Sequence, residues 1–134
     1  MLVTIMDTVL KHFEDEEHGG FFFTSDDHEK LLQRIKPDAD DAIPSGNGIA
    51  VQLLIRLGHL FGNQRYLASA ERALSCLWDN MNNYAAGHGA LLTALDLWLA
   101  PPEILVIRGQ GKEAESWKSL AVKQYAPDRM VFTI

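Results

Sequence analysis

The sequence is poor in the residues that mark several common classes of protein. It has one cysteine, Cys76, among 134 residues, so a disulfide framework and a cysteine-rich zinc site are excluded. It has no basic cluster and a formal net charge of -6, which argues against a surface for nucleic acid or anionic membrane. Because Leu74, Leu77 and Trp78 flank Cys76, we expect its thiol to be a small buried apolar group.

Long apolar stretches are also missing. No run reaches the roughly 20 residues of a membrane-spanning helix, and no basic segment followed by an apolar core marks a signal peptide. The hydrophobic content of 47% is ordinary for a globular protein, and 134 residues suffice for one domain with a real core. These features predict a soluble, cytoplasmic protein that binds neither nucleic acid nor membrane.

Apolar residues repeat at spacings of three and four in four long segments, which predicts four helices. The predicted helices cover residues 2–13, 48–61, 65–82 and 88–99. The first and third have one apolar stripe, whereas the second and fourth are apolar almost all round and should be buried on more than one face. Short αα-hairpins of alternating type predict a mainly α fold in concentric layers, as in an incomplete (α/α) toroid.

The segment between the first two helices has three weaker signals. Aromatic residues after Gly19 and Gly20 predict a short β element near 21–24, and residues 25–27 predict the cap of a short helical or turn segment running to residue 32. The acidic run at 14–17 is unfavourable at a helix C-terminus, because carboxylates there oppose the helix dipole. It could be a functional site, a metal-binding loop or a solvated turn, and we interpret it as a solvated turn. His12 and His18 match no specific metal-ligand spacing with these acids, so the sequence predicts no metal site.

The sequence changes character after residue 100. Pro101 and Pro102 end the fourth helix, and the pattern that follows predicts a strand at 104–107, a helix at 113–125 and a strand at 130–134. We therefore expect a helical-hairpin domain over residues 1–100 and a small βαβ-like tail over residues 101–134. Because the chain stops inside an apolar strand, we expect the tail to be truncated and the chain to be a fragment.

The candidate functional residues lie where the second helix begins. Asp41, Ser45, Gly46 and Asn47 lead into a helix that is apolar on nearly every side. One interpretation is a helix N-cap after a turn fixed by Pro44. The other is a helix N-terminus that offers its N–H groups to a ligand in a cavity. The residues leave both interpretations open.

Two further residues belong to the ligand interpretation. His88, between two glycines, is a candidate general base beside the candidate carboxylate Asp41, and Phe22 could stack on a sugar ring. A histidine in this position more often closes a helix start. Glycoside hydrolysis needs a second carboxylate, and none can be named from the sequence, so whether the chain is an enzyme stays open. No cofactor is predicted.

Four short motifs together resemble a known family. They occur in the same order and at similar spacing in the large thioredoxin-domain proteins of the spermatogenesis-associated protein 20 type, including the bacterial YyaL-like members. The motifs are GGFF at 19–22, IPSGN at 43–47, GNQRYL at 62–67 and PPEILVI at 101–107. The resemblance implies that the chain is the C-terminal end of a helical region that follows a thioredoxin-like domain. It also implies that this region is built like the six-hairpin toroids of glycosidases and N-acylglucosamine 2-epimerases.

The resemblance leads to two functional hypotheses. The first is a non-catalytic helical module that acts through self-association or through the missing hairpins and domain of a full-length protein. Redox chemistry is not implied, because the thioredoxin part with its cysteines is missing. The second is a carbohydrate-binding or carbohydrate-active toroid segment, with a sugar-like ligand in a pocket at residues 41–47. A broad apolar surface would favour the first hypothesis, and a deep pocket with two converging ionisable groups would favour the second.

Overall fold

A computed structural model describes residues 1–27 and 33–134 of the chain. The chain divides into two compact units, Met1–Leu99 and Ala100–Ile134. The described residues are mainly helical with a small two-stranded parallel sheet, which confirms the predicted fold class at that level. The turn predicted at 25–32 lies in large part outside the described residues, since these omit 28–32.

Among its described residues the first unit contains four α-helices. They are α1 (Leu2–His12), α2 (Gly46–Phe61), α3 (Gln64–Asn83) and α4 (Gly89–Leu99), with a short 3-10 helix at Ala85–Gly87 before α4. Each helix begins and ends within two residues of its predicted bounds. The α2–α3 hairpin turns at Gly62, whose φ of 63° ends α2, and the side chain of Asn63 then accepts hydrogen bonds from the first N–H groups of α3.

The central helix of this unit is α2, which packs most extensively against α3 and α4. Val51, Leu54 and Ile55 are fully buried, and no residue from 50 to 60 is exposed, as the nearly all-apolar pattern predicts. The first turn of α2 lies so close to α4 that a Cβ on Gly48 would come 2.5 Å from the Cβ of Ala90. Only a residue without a side chain permits this contact.

One side of α3 is buried and the other is wet, in agreement with its single apolar stripe. Tyr66, Ala73 and Leu77 are buried, whereas Glu71 is exposed. The predicted burial of Cys76 is wrong, because this residue lies on the wet side of α3 and is exposed. Apolar neighbours in sequence did not indicate burial there, since residues one or two apart on a helix face different directions.

The predicted burial of α4 on several faces is only partly right. Ala94 and Leu97 are buried, but Thr93 and Asp96 are exposed and Leu99 keeps 74% of its surface exposed. The reason is that α2 covers one side of α4 extensively, whereas α3 contacts it much less. An apolar sequence all round a helix predicts what the helix could bury, and the neighbouring elements decide how much of it is covered.

The segment that follows α1 differs from both predictions made for it. The β element near 21–24 is reduced to one antiparallel bridge between Glu14 and Phe21, after which the N–H of Phe23 donates to the carbonyl of Ile35. The acidic run is not simply a solvated turn. The side chain of Glu14 is only 3% exposed and forms an ion pair with Arg72 at 2.5 Å. That pair connects the end of α1 to α3 and removes the carboxylate from solvent.

The second unit has the predicted order of strand, helix and strand. Its elements are β1 (Ile104–Ile107), α5 (Lys112–Lys123) and β2 (Met130–Thr133). The strands are parallel, with Ile104 opposite Met130 and Ile107 opposite Thr133. β1 is a continuous apolar run and β2 is apolar except for Thr133, a pattern typical of parallel strands with covered faces, but Leu105 and Val106 remain exposed in this unit. Among the described residues, no helix is long and apolar enough to cross a membrane.

The turn at Gly19, between the two residues of the β-bridge, allows a test of how this loop packs against α3. Gly19 has a φ of 84°, and a Cβ at this position would lie 2.4 Å from the carbonyl oxygen of Arg72. We expect Gly19→Ala to lower the free energy of unfolding by about 3 kcal/mol, from backbone strain and overpacking together. Urea unfolding followed by far-UV circular dichroism measures the change.

Gly62→Ala is the matched control, because Gly62 also has a positive φ of 63° but a Cβ there meets no atom within 4 Å. Only the strain of a left-handed residue remains, so we expect a loss of about 1 kcal/mol. Equal losses in the two variants would contradict the close approach of Gly19 to α3.

Candidate functional site

The predicted corner at the start of α2 is built around the side chain of Asn47, which is only 2% exposed. Its Oδ1 accepts a hydrogen bond from the N–H of Phe21 at 2.7 Å. Its Nδ2 donates to the carbonyl of Phe21 at 2.9 Å and to the carbonyl of Pro37 at 2.8 Å. The amide therefore pairs backbone groups from two separate loops, and those of the buried Phe21 would otherwise have no partners.

Ser45 is the N-cap residue of α2. Its backbone is extended, and its Oγ accepts a hydrogen bond from the N–H of Gly48 at 3.1 Å. This is the geometry of the capping interpretation. Gly46 and Asp41, the two other predicted residues of this corner, are both exposed.

Asp40 is the carboxylate that organises the corner, and the sequence analysis did not select it. Its Oδ1 accepts from the N–H of Ser45 at 2.8 Å and its Oδ2 from the N–H of Ala90 at 2.9 Å. These two backbone N–H groups hold the pKa of Asp40 below its usual range, with smaller contributions from Gly89 and His88. Asp40 thus joins the first turns of α2 and α4. No local signal could have shown this, because Ala90 is fifty residues away in sequence.

His88, the predicted general base, is buried beside the same junction with 4% of its surface exposed. Its Nδ1 lies 2.7 Å from the carbonyl oxygen of Tyr84, and since a carbonyl only accepts, this nitrogen carries the proton and donates it. Its Nε2 lies 3.5 Å from the carboxylate of Asp38, which also accepts from the side chain of Asn80. Both ring nitrogens therefore face protein oxygens, so neither is presented to an open cavity in this conformation.

Two positively charged side chains lie over the ring of Phe22. The guanidinium carbon of Arg34 lies 4.0 Å from the ring centroid, and the ammonium of Lys36 lies 5.0 Å from it. Both distances fall within the range of cation–π attraction. A sugar stacking on Phe22 would compete with these two side chains.

Lys36 also holds the loop that leads into the corner. Its ammonium lies 2.6 Å from the carboxylate of Asp15 and donates to the carbonyl of Gly19 at 2.8 Å. Burial raises the pKa of Asp15, but the ammonium of Lys36 and the N–H groups of His18 and Glu17 outweigh burial and lower the pKa to about 2. Asp15 is therefore a structural carboxylate of the turn at 15–20.

The polar groups of the corner are thus largely engaged within the protein. Ser45 and Asn47 stabilise the start of α2, and His88 is fixed between Tyr84 and Asp38. Asp41 is the candidate whose carboxylate lies on the surface. The geometry brings Ser45, Asn47 and the overlooked Asp40 together, and it keeps Asp41 outside this network. Ligand binding by Ser45, Gly46, Asn47 and Phe22 stays a prediction.

A second candidate surface is the open groove between α3 and α4. It has a volume of about 210 Å³. Leu74 and Trp78 on α3 face Leu95 and Trp98 on α4, and Glu71 and Ser75 add polar atoms at its margin. Trp78 is 49% exposed although it belongs to the predicted apolar stripe of α3.

Comparisons with known proteins assign neither a family nor a function to this chain. No protein-family model matches the chain, and no curated protein matches it either. Function therefore has to be argued from the contacts and surfaces described above.

The first prediction from the site concerns Asn47. We expect Asn47→Ala to lower the free energy of unfolding by about 3 kcal/mol, because the buried N–H and carbonyl of Phe21 lose their partners and the carbonyl of Pro37 loses a hydrogen bond. Asp41→Ala, at an exposed position in the same corner, should change it by less than about 0.5 kcal/mol. Urea titrations of both variants give the comparison, and an Asn47→Ala protein as stable as the Asp41→Ala protein would contradict the bridging role.

The second prediction concerns pH. Because the folded-state pKa of Asp15 is about 2 against an ordinary value of 3.8, its contribution to stability is present above about pH 4 and is lost as the pH falls towards 2. That contribution is at most about 2 kcal/mol. We expect Asp15→Asn to lower stability at neutral pH and to flatten the loss between about pH 4 and pH 2.

The control for this pH series is Glu16→Gln, which neutralises the neighbouring exposed carboxylate. Unfolding free energies at a series of pH values should show the wild-type slope for Glu16→Gln and a shallower slope for Asp15→Asn. A wild-type slope in Asp15→Asn would show that the Lys36 contact does not set the acid stability.

Proposed function

We propose that residues 1–99 form a non-catalytic module of helical hairpins that acts by assembling with further hairpins. In this proposal the module is a segment of an (α/α) toroid, of the kind implied by the resemblance to the thioredoxin-domain proteins of the spermatogenesis-associated protein 20 and YyaL type. The observation that carries the proposal is the uncovered apolar surface of α3 and α4.

That surface combines large side chains from both helices. Trp78 on α3 is 49% exposed, Leu99 on α4 is 74% exposed, and Leu95 and Trp98 between them are half-buried. Trp78, Leu95 and Trp98 line the groove, so a helix lying in it would remove their apolar surface from water. Leu99 follows Trp98 at the end of α4, outside the lining of the groove. Contiguous apolar patches of this kind mark contact surfaces more often than isolated exposed residues do.

A second apolar strip lies along α1. Leu2, Val3 and Ile5 are exposed, whereas Met6 and Leu10 of the same helix are fully buried in the core. The apolar face of α1 is therefore wider than the part that α2 covers. Two such strips, one on α1 and one on α3 and α4, are what a stack of hairpins offers to its neighbours, because each hairpin buries its apolar faces against those on either side.

The polar corner also favours the non-catalytic module over the carbohydrate-binding or carbohydrate-active segment. A catalytic or sugar-binding site needs polar groups that are free to meet a ligand. Ser45 and Asn47 instead cap α2 and tie it to the loops at Phe21 and Pro37. The helix pattern also agrees with a layered hairpin arrangement, since α2 is enclosed while α3 has a wet side.

Light scattering across a concentration series tests the proposal. We expect the chain to form a dimer or larger species, because the apolar surface of α3 and α4 has to be covered. We expect Trp78→Glu to shift the mass towards the monomer at the same concentrations, since a charge in the groove opposes its burial.

The matched control is Cys76→Glu, which adds the same charge at an exposed position of the same helix outside the groove. It should keep the wild-type mass. A folded wild-type chain that stays monomeric at every concentration would contradict the proposal, as would an equal loss of association in both variants.

A further inference from the structure

Three metal-ligating side chains from two segments meet at the C-terminal end of α1. The ligand atoms of His12, Asp26 and Asp27 all lie within 4.8 Å of one another. His12 is the last residue of α1, and the two aspartates lie in the segment that follows the β-bridge. Their separation in sequence, fourteen residues between His12 and Asp26, is not a recognised ligand spacing, which is why the sequence did not predict the cluster.

The backbone holds these two segments together. The N–H of Asp26 donates to the carbonyl of His12 at 3.0 Å. The guanidinium of Arg34 donates to the carbonyls of both His12 and Thr24. The position of Asp26 relative to the end of α1 is thus maintained by contacts that do not use the three ligand side chains.

The ligand side chains are themselves oriented. Nδ1 of His12 lies 2.7 Å from Oδ1 of Asp26, and the hydroxyl of Ser25 donates to the carboxylate of Asp27. The side chain of His12 is 24% exposed and that of Asp26 is 54% exposed, so the cluster is open to ions from solvent. An imidazole fixed against a carboxylate in this way needs little reorganisation to bind a cation.

We propose that His12, Asp26 and Asp27 bind a divalent transition-metal ion, with zinc as the preferred ion. One imidazole and two carboxylates form a mixed nitrogen and oxygen ligand set, which suits Zn²⁺ and disfavours Mg²⁺ and Ca²⁺, because these prefer oxygen ligands alone. Three protein ligands leave the fourth position of a tetrahedral zinc ion for water.

The distances are compatible with this ion after a small movement. Bonds of about 2.0–2.1 Å in a tetrahedral site place two ligand atoms roughly 3.3 Å apart. The contact between His12 and Asp26, now 2.7 Å, therefore opens by a few tenths of an ångström when their hydrogen bond is replaced by bonds to the metal. Side-chain rotation of the exposed Asp26 is sufficient for that change.

The local charge also favours a cation. Among the described residues, the carboxylates of Asp26 and Asp27 attract a cation to the cluster, and the guanidinium of Arg34, which donates to the carbonyl of His12, opposes that attraction. The C-terminus of α1 adds the negative end of its helix dipole. Because the carboxylate of Asp26 only accepts, Nδ1 of His12 carries a proton, and this proton leaves when that nitrogen binds the metal: to solvent from a charged ring, or to Nε2 by way of solvent in a neutral ring.

Calorimetric titration of the full chain with ZnCl₂ tests the proposal, using protein without an affinity tag in a buffer that does not chelate metal. We expect one equivalent to bind with micromolar affinity. Substitutions of the groups that hold metal ligands in place typically lower the affinity for the metal at least about tenfold. His12→Gln and Asp26→Asn remove a ligand itself, so each should weaken zinc binding by at least that factor. Co²⁺ serves as a spectroscopic probe, and its visible absorption should show the tetrahedral form in wild type and lose it in both variants.

His59→Gln is the matched control, because it removes a histidine of α2 outside the cluster. It should bind zinc as the wild type does. Circular dichroism checks that each variant is folded, and Asp27→Asn replaces any variant that is not. The proposal is overturned if wild type shows no saturable binding, or if His12→Gln and Asp26→Asn bind as tightly as His59→Gln.

Discussion

The helical unit depends on pairing backbone groups that are buried where α2 begins. Three loops and two helix starts meet there, and each brings N–H or carbonyl groups out of water. The carboxamide of Asn47 pairs with Phe21 and Pro37, and the carboxylate of Asp40 pairs with the first turns of α2 and α4. Without these two side chains the junction would contain buried polar atoms without partners, which costs more than the hydrogen bonds themselves contribute.

The same constraint explains why this corner looks like a functional site in the sequence. Polar residues beside a deeply apolar helix are rare, and they persist where they bind something. Here they bind the protein's own backbone. Gly19 and Gly20, which both have positive φ, shape the loop together with the pair formed by Asp15 and Lys36. Phe21 thereby reaches Asn47. The surfaces proposed for function lie elsewhere in this unit, at the apolar face of α3 and α4 and at the cluster of His12, Asp26 and Asp27.

These two surfaces differ in what they require. The apolar face needs only a partner that removes Trp78, Leu95 and Leu99 from water, so the physical driving force is non-directional. The cluster of His12, Asp26 and Asp27 requires atoms at defined distances, so its chemistry is directional and selects among ions. The proposed assembly and the proposed metal binding are thus independent of each other, and either can hold without the other.

The sequence by itself determined the elements. The four helices of the first unit and the strand, helix and strand of the second follow from apolar spacing and from glycine and proline at the breaks, because these signals act within a few residues. The N-caps at Ser45 and Asn63 are equally local. The sequence also indicated that α2 is enclosed, since its apolar residues cover every side.

Only the tertiary structure decided what each polar side chain contacts. Asp40 meets Ala90, Glu14 meets Arg72 and His12 meets Asp26 because distant segments pack together, and no local pattern records those pairings. The exposure of Cys76, Trp78 and Leu99 was decided in the same way. Periodicity shows which face of a helix is apolar, whereas the number and placement of neighbouring helices determine how much of that face is removed from water.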